Sequence, residues 1–169
     1  MDVEISQATL DDKPVLRNML ELYLYDLSVF DGADLNSHGE FGYGYLDHYW
    51  REEGRHPFLV RVGGRLAGFV LVNTHCEREE SHFSMAELFV MKKYRERGIG
   101  RKIAFHAFDQ FRGVWEVGQL PENEPATSFW QHVIAEYTQD DFEEAIRSDG
   151  GPLLIFDNRG RGKPTSCCS

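Results

Sequence analysis

Between Arg95 and Gly100 the chain reads Arg-Glu-Arg-Gly-Ile-Gly, after an apolar run and before residues with helical spacing. Basic side chains crowd this turn: Lys92, Lys93, Arg95, Arg97, Arg101 and Lys102. A helix start carries backbone N–H groups without intrahelical acceptors, together with the positive end of the helix dipole. Glycine lets an anion approach those donors, and the cations add charge. The turn therefore suits a phosphate or pyrophosphate. It is not a nucleoside triphosphate loop, because Gly100 is followed by Arg101-Lys102 rather than by Lys-Ser or Lys-Thr. Nor is it a dinucleotide fingerprint, since Ile103 stands where the third small residue would fall.

Glu87 is the candidate for proton chemistry. It interrupts the apolar run from Phe83 to Met91. Strand alternation puts Glu87, Phe89 and Met91 on one face, and Leu88 and Val90 on the other. An alkylammonium with a pKa near ~10.4 is almost wholly protonated at pH 7, so chemistry on an amine gains from a base. A solvated or arginine-paired carboxylate at a strand end accounts for the same residue without catalysis.

A third group lies between Glu21 and Glu53, where carboxylates alternate with aromatics and Arg51 is the only lysine or arginine. Tyr25, Asp26, Phe30, Tyr45 and Tyr49 in this segment suit a cationic partner, through charge and cation–π attraction. A solvated acidic face explains this composition as well. The histidines and cysteines form neither His-Glu-x-x-His nor Cys-x-x-Cys spacing, so no metal site is expected.

These residues need elements to hold them. Val3 and Ile5 alternate with polar residues as a first strand. Asp11 or Asp12 caps a helix with Pro14 in its first turn and apolar residues from Val15 to Leu27. Phe30 to Gly44 is expected as loop, and Tyr45 to Glu53 as a second short helix. Phe58–Val62 and Leu66–Val72 flank Gly63-Gly64 as a hairpin. A strand from Phe83 leads into the glycine turn, where Gly98 opens a helix carrying Ile99, Ile103, Ala107, Phe108 and Phe111 on one face. Val114–Val117 gives a strand, Pro125–Tyr137 a helix and Leu153–Phe156 a last strand.

The segment Glu87-Leu-Phe-Val-Met-Lys-Lys-Tyr-Arg-Glu-Arg-Gly-Ile-Gly resembles motif A of the GNAT superfamily of N-acetyltransferases, and the order of elements is similar from about Val3 to Phe156. The resemblance implies an α/β (α+β) fold: a mixed, mostly antiparallel central sheet flanked by helices. It also implies a splay between the strands around Phe89 and Val117 that admits the pantetheine arm of acetyl-CoA. By the same likeness Arg95, Arg97, Gly98, Ile99, Gly100 and Arg101 hold the pyrophosphate. A backbone N–H of Leu88, Phe89 or Val90 stabilises the oxyanion, Asn123 meets the pantetheine arm, Phe129 walls the coenzyme, and the segment with Tyr25, Asp26, Phe30, Tyr45 and Tyr49 contacts the acceptor amine. Turn chemistry in Pro121-Glu-Asn-Glu-Pro125 explains Asn123 equally. Many members place an acidic tyrosine beside the aromatic residue of the last long helix. Here Phe129 is followed by Trp130, whose indole is not a practical acid, which leaves Tyr137, Ser128 or a water. Tyr137 as an ordinary core or surface residue is the competing account.

A length of 169 residues, with 41% hydrophobic and 27% charged, indicates one globular domain, expected over residues 1–158 with a flexible tail at 159–169. A net charge of -10 disfavours nucleic acid as a partner. The beginning of the sequence has no secretion-signal pattern, no apolar run approaches a membrane span, and three cysteines cannot all pair, so a cytoplasmic location is expected. Cys167 and Cys168 receive no role. The expected activity is transfer of an acetyl group from acetyl-CoA to the primary amine of a small molecule or a protein, with a homodimer as the possible assembly. A coenzyme A-binding sensor of the same fold without turnover is the rival.

Overall fold

The computed structural model describes residues 1–162; Cys167 and Cys168, with the end of the expected tail, lie outside the described residues. Among the described residues seven strands form one sheet in the order β1 (Val3–Gln7), β2 (Arg55–Val62), β3 (Arg65–Asn73), β4 (Phe83–Val90), β5 (Val114–Gly118), β7 (Pro152–Asp157) and β6 (Glu143–Ile146). Only β4 and β5 run parallel; every other neighbouring pair is antiparallel. Among the described residues no helix is long and apolar enough to cross a membrane.

Helix α1 (Lys13–Asp31) follows a 3₁₀ turn, Leu10–Asp12, whose capping box has Asp12 accepting from both the backbone N–H and the hydroxyl of Thr9, at 2.8 and 3.0 Å. Leu16, Met19 and Leu20 recur at helical spacing and are buried on one face of the sheet with Leu59, Phe69, Leu71 and Phe89. The helix runs one residue past Phe30 and ends at Gly32, whose N–H reaches the Ser28 carbonyl. The second short helix expected at Tyr45–Glu53 is a five-residue 3₁₀ turn, Leu46–Trp50, whose Leu46 and Tyr49 are buried.

Helices α2 (Ile99–Gln110) and α3 (Glu124–Thr138) cover the other face, where Ile103, Phe108, Trp115, Ile134 and Phe156 pack together. Strand β6 is an addition to the expected elements. Its sequence Glu-Glu-Ala-Ile is exposed or half-buried at an edge, so no apolar alternation marks it.

Two irregularities shape the sheet centre. The β3–β4 register pairs Leu71 with Glu87 but Val72 with Met85, leaving Ala86 as an extra residue on β4. Such a bulge re-aims the side chains that follow it. Strands β4 and β5 pair only at Phe83–Trp115 and Ser84–Glu116, and beyond Ser84 they diverge. The splay thus opens between Met85–Val90 and the end of β5.

Candidate active site

The divergence of β4 and β5 opens a cleft of about 1110 Å³. One end is the turn into α2. Gly98 caps that helix with φ +72, a left-handed conformation that glycine adopts without strain. The amides of Ile99, Gly100 and Arg101 occupy the first helical turn, where no intrahelical acceptor exists. At Gly100 a Cβ would come within 3.0 Å of the Phe129 ring, so the glycine lets α3 close over the helix start.

Arg95 is locked beside this turn. Its Nε donates to the Val90 carbonyl at 2.7 Å, and its guanidinium pairs with Asp26 of α1. Lys92 approaches the same carboxylate at 3.5 Å. Arg101 turns its side chain to Glu136, with Nε donating at 2.7 Å. Arg95, Gly98, Ile99, Gly100 and Arg101 all line the cleft, whereas Arg97 does not.

Glu87 stands on the cleft wall after the bulge. Loss of water pushes its carboxyl up to about 7; the Tyr23 and Tyr43 hydroxyls and the charge of Arg147 offset only part of that rise. Burial, reinforced by the Glu87 charge, holds both phenols well above the usual tyrosine range. They stay protonated at neutral pH and so donate towards the carboxylate. Tyr43 is carried by a loop tied to α1, where Glu21 accepts from the N–H groups of Phe41 and Gly42 at 2.7 and 2.9 Å.

Leu88, Phe89 and Val90 line the cleft from β4, where the splay leaves that edge of the strand without a β5 partner. Asn123 and Phe129 also line it. The Asn123 side-chain oxygen caps α3 by accepting from the Ala126 N–H at 3.2 Å, so the helix start uses this oxygen.

Besides Arg97, five expected site residues are placed differently. Tyr137 lies outside the cleft, its hydroxyl donating to Asp109 at 2.9 Å in the α2–α3 layer. Tyr25 points outward from α1 and is 66% exposed, and Tyr45 is likewise exposed beneath the Arg55 guanidinium. Tyr49 is buried in the core under the cleft. Asp26 does line the cleft with Phe30, but its carboxylate serves Arg95 and Lys92 instead of facing an acceptor amine. Alternating acids and aromatics do not reveal which side of a helix faces the cleft. Tyr23 and Arg147, both in the lining, were not anticipated. Tyr23 recurs with the core residues of α1, and Arg147 sits in a turn with no motif around it.

Residues 19–134 match the Acetyltransferase (GNAT) family. The chain belongs to this family. Its fold is shared with an acetyltransferase from Thermus thermophilus, at 18% identity and a TM-score of 0.68, covering 93% of this chain and 97% of that one. It is shared too with the PaiA N-acetyltransferase from Thermoplasma acidophilum, solved in complex with coenzyme A. That match has 12% identity and a TM-score of 0.60, covering 93% of this chain and 99% of the other. Among curated proteins, none matches the chain. At these identities the likeness to solved structures is one of fold, and the splayed sheet and glycine turn described above are how this GNAT chain realises it.

Proposed function

We propose that this GNAT protein transfers an acetyl group from acetyl-CoA to the primary amine of a small molecule, by direct attack within a ternary complex. The observation that carries this reading is the position of Glu87: a half-buried carboxylate inside the splay, on the cleft that also receives the amides at the start of α2. The turn at Gly98–Arg101 takes the diphosphate, and the diverging strands take the pantetheine arm.

The acceptor enters as an ammonium cation. Glu87, its carboxyl near 7, takes one proton, and the neutral amine attacks the thioester carbonyl. A cleft-facing amide of Leu88, Phe89 or Val90 donates to the oxyanion that forms. The carbon–sulfur bond then breaks, and the second amine proton passes to the departing thiolate. A thiol with a pKa near ~8.5 is a fair leaving group, so no side-chain acid is required at Trp130 or Tyr137. The products are an N-acetyl amide and coenzyme A, and Glu87 returns its proton to water.

Release of free thiol from acetyl-CoA across a panel of amines tests the proposal, with acceptor-dependent release expected for at least one class. Coenzyme binding without such release would support the second reading, a coenzyme A sensor, which is favoured by the absence of a tyrosine beside Phe129.

A further inference from the structure

One cation in the cleft comes from outside the glycine turn. Arg147, in the turn between β6 and β7, lies at the far side of the splay from Glu87. Trp115 and Val117 of β5 point into the α2–α3 core, so Glu116 and Gly118 face the α1 side. The Arg147 side chain lies over Gly118, where a Cβ would meet its Cδ at 2.8 Å and Nη1 at 2.9 Å. On β4, Glu87 shares its face with Phe89, which packs in the α1-side core. Glu87 and Arg147 thus occupy the same side of the sheet, one on each lip of the splay, and the charge of Arg147 reaches the Glu87 carboxylate.

The arginine is held by a built support. Glu116, 2% exposed on β5, accepts from the N–H groups of Glu77 and Arg78 at 2.9 and 2.8 Å. The loop fixed in this way directs the Glu77 carboxylate to Ser148, which donates from its N–H at 3.2 Å and its hydroxyl at 2.9 Å. Around the turn, the Arg147 N–H donates to the Gly151 carbonyl, and its carbonyl accepts from Gly150. Two carboxylates pair with the guanidinium by charge, Glu77 at 3.8 Å from Nε and Asp149 at 3.3 Å from Nη2, neither as a close hydrogen bond. A guanidinium has five N–H donors in a planar fork that matches a carboxylate.

We propose that the acceptor is an amino carboxylic acid, its amine at Glu87 and its carboxylate held by Arg147 across the splay. The assignment rests on the acyl-transfer reading for the amine half of the molecule; the carboxylate half stands on Arg147 alone. Arg147 keeps N–H donors beyond its charge pairs with Glu77 and Asp149 and stands across the splay from Glu87, where the carboxylate of a molecule whose amine is at Glu87 would meet it; the guanidinium of Arg95 and the ammonium of Lys92 are engaged by Asp26.

The test is calorimetric titration of the coenzyme A-loaded protein with the twenty L-amino acids, β-alanine and 4-aminobutyrate, each beside its own carboxamide. At least one acid is expected to bind about tenfold or more tightly than its amide, as loss of a charge-assisted hydrogen bond implies. Arg147→Gln should abolish that preference and Arg147→Lys should restore part of it, both variants keeping the coenzyme affinity of the parent. If no acid outbinds its amide, or if Arg147→Gln keeps the preference, the proposal is wrong. Thiol release is measured separately on the same mixtures. Arg147-dependent binding upholds the carboxylate site whether or not the acid is acetylated, whereas binding without release counts against acyl transfer alone.

Discussion

Arg95 donates from Nε to the carbonyl oxygen of Val90 at 2.7 Å, tying the glycine turn to the end of the strand that carries Glu87. The same guanidinium reaches Asp26 on α1, so one side chain joins three parts of the cleft. On the proposed reading, a residue in this position acts on the coenzyme in two ways, by its charge and by fixing the turn whose amides would meet the diphosphate.

Arg95→Ala is accordingly expected to weaken coenzyme A binding by about tenfold or more. S-acetylpantetheine, which has no diphosphate, should be affected far less. Calorimetric titration with the two compounds checks this, and an equal loss for both would mean that Arg95 only supports the fold.

Glu87 takes a proton only when ionised, and its carboxyl lies near 7. At subsaturating acceptor, turnover should climb through neutral pH and level off above it. Glu87→Gln should lower kcat on the order of a hundredfold and remove the acidic limb, with coenzyme affinity unchanged. An unaltered pH profile in the variant would assign the proton to another group.

The same burial has a cost in stability. The carboxyl titrates at about 7 in the folded chain against 4.5 ordinarily, so the folded state binds the proton more tightly than the unfolded one. The contribution of Glu87 is fully present below the unfolded value and is lost as pH rises to about 7. Glu87→Gln escapes that loss. Its stability relative to the parent should improve by roughly 1–3 kcal/mol between pH 5 and pH 8, read from urea midpoints. A gap that is the same at both pH values would place the carboxyl in water.

Tyr137 donates to Asp109 away from the cleft. Tyr137→Phe is therefore expected to leave kcat near the parent value while lowering stability by about 1 kcal/mol through the lost hydrogen bond. A large fall in kcat with the fold intact would return this tyrosine to the proton path.

The legible parts of the molecule were those with a local physical signature. Gly98 at a helix start, the Gly63-Gly64 hairpin and the period of Leu16, Met19 and Leu20 each follow from neighbouring residues, and each stands where expected. Glu87 was legible as a charge inside an apolar strand, although the bulge at Ala86 that sets its orientation left no sequence mark. What escaped was non-local. Arg147 reaches the cleft only because β6 and β7 fold back beside β5, and Glu116 and Glu77 brace it from segments 31 or more positions away. Asp26 shows the converse error: its composition suited an ammonium, but Arg95, distant in sequence, had already engaged it.

Backbone amide resonances recorded while coenzyme A is added to the isotopically labelled protein test the central assignment most directly. The largest shifts are expected at Gly98, Ile99, Gly100 and Arg101, saturating together with those of Phe89 and Val90. Saturation of binding with the four turn amides unmoved would contradict the account.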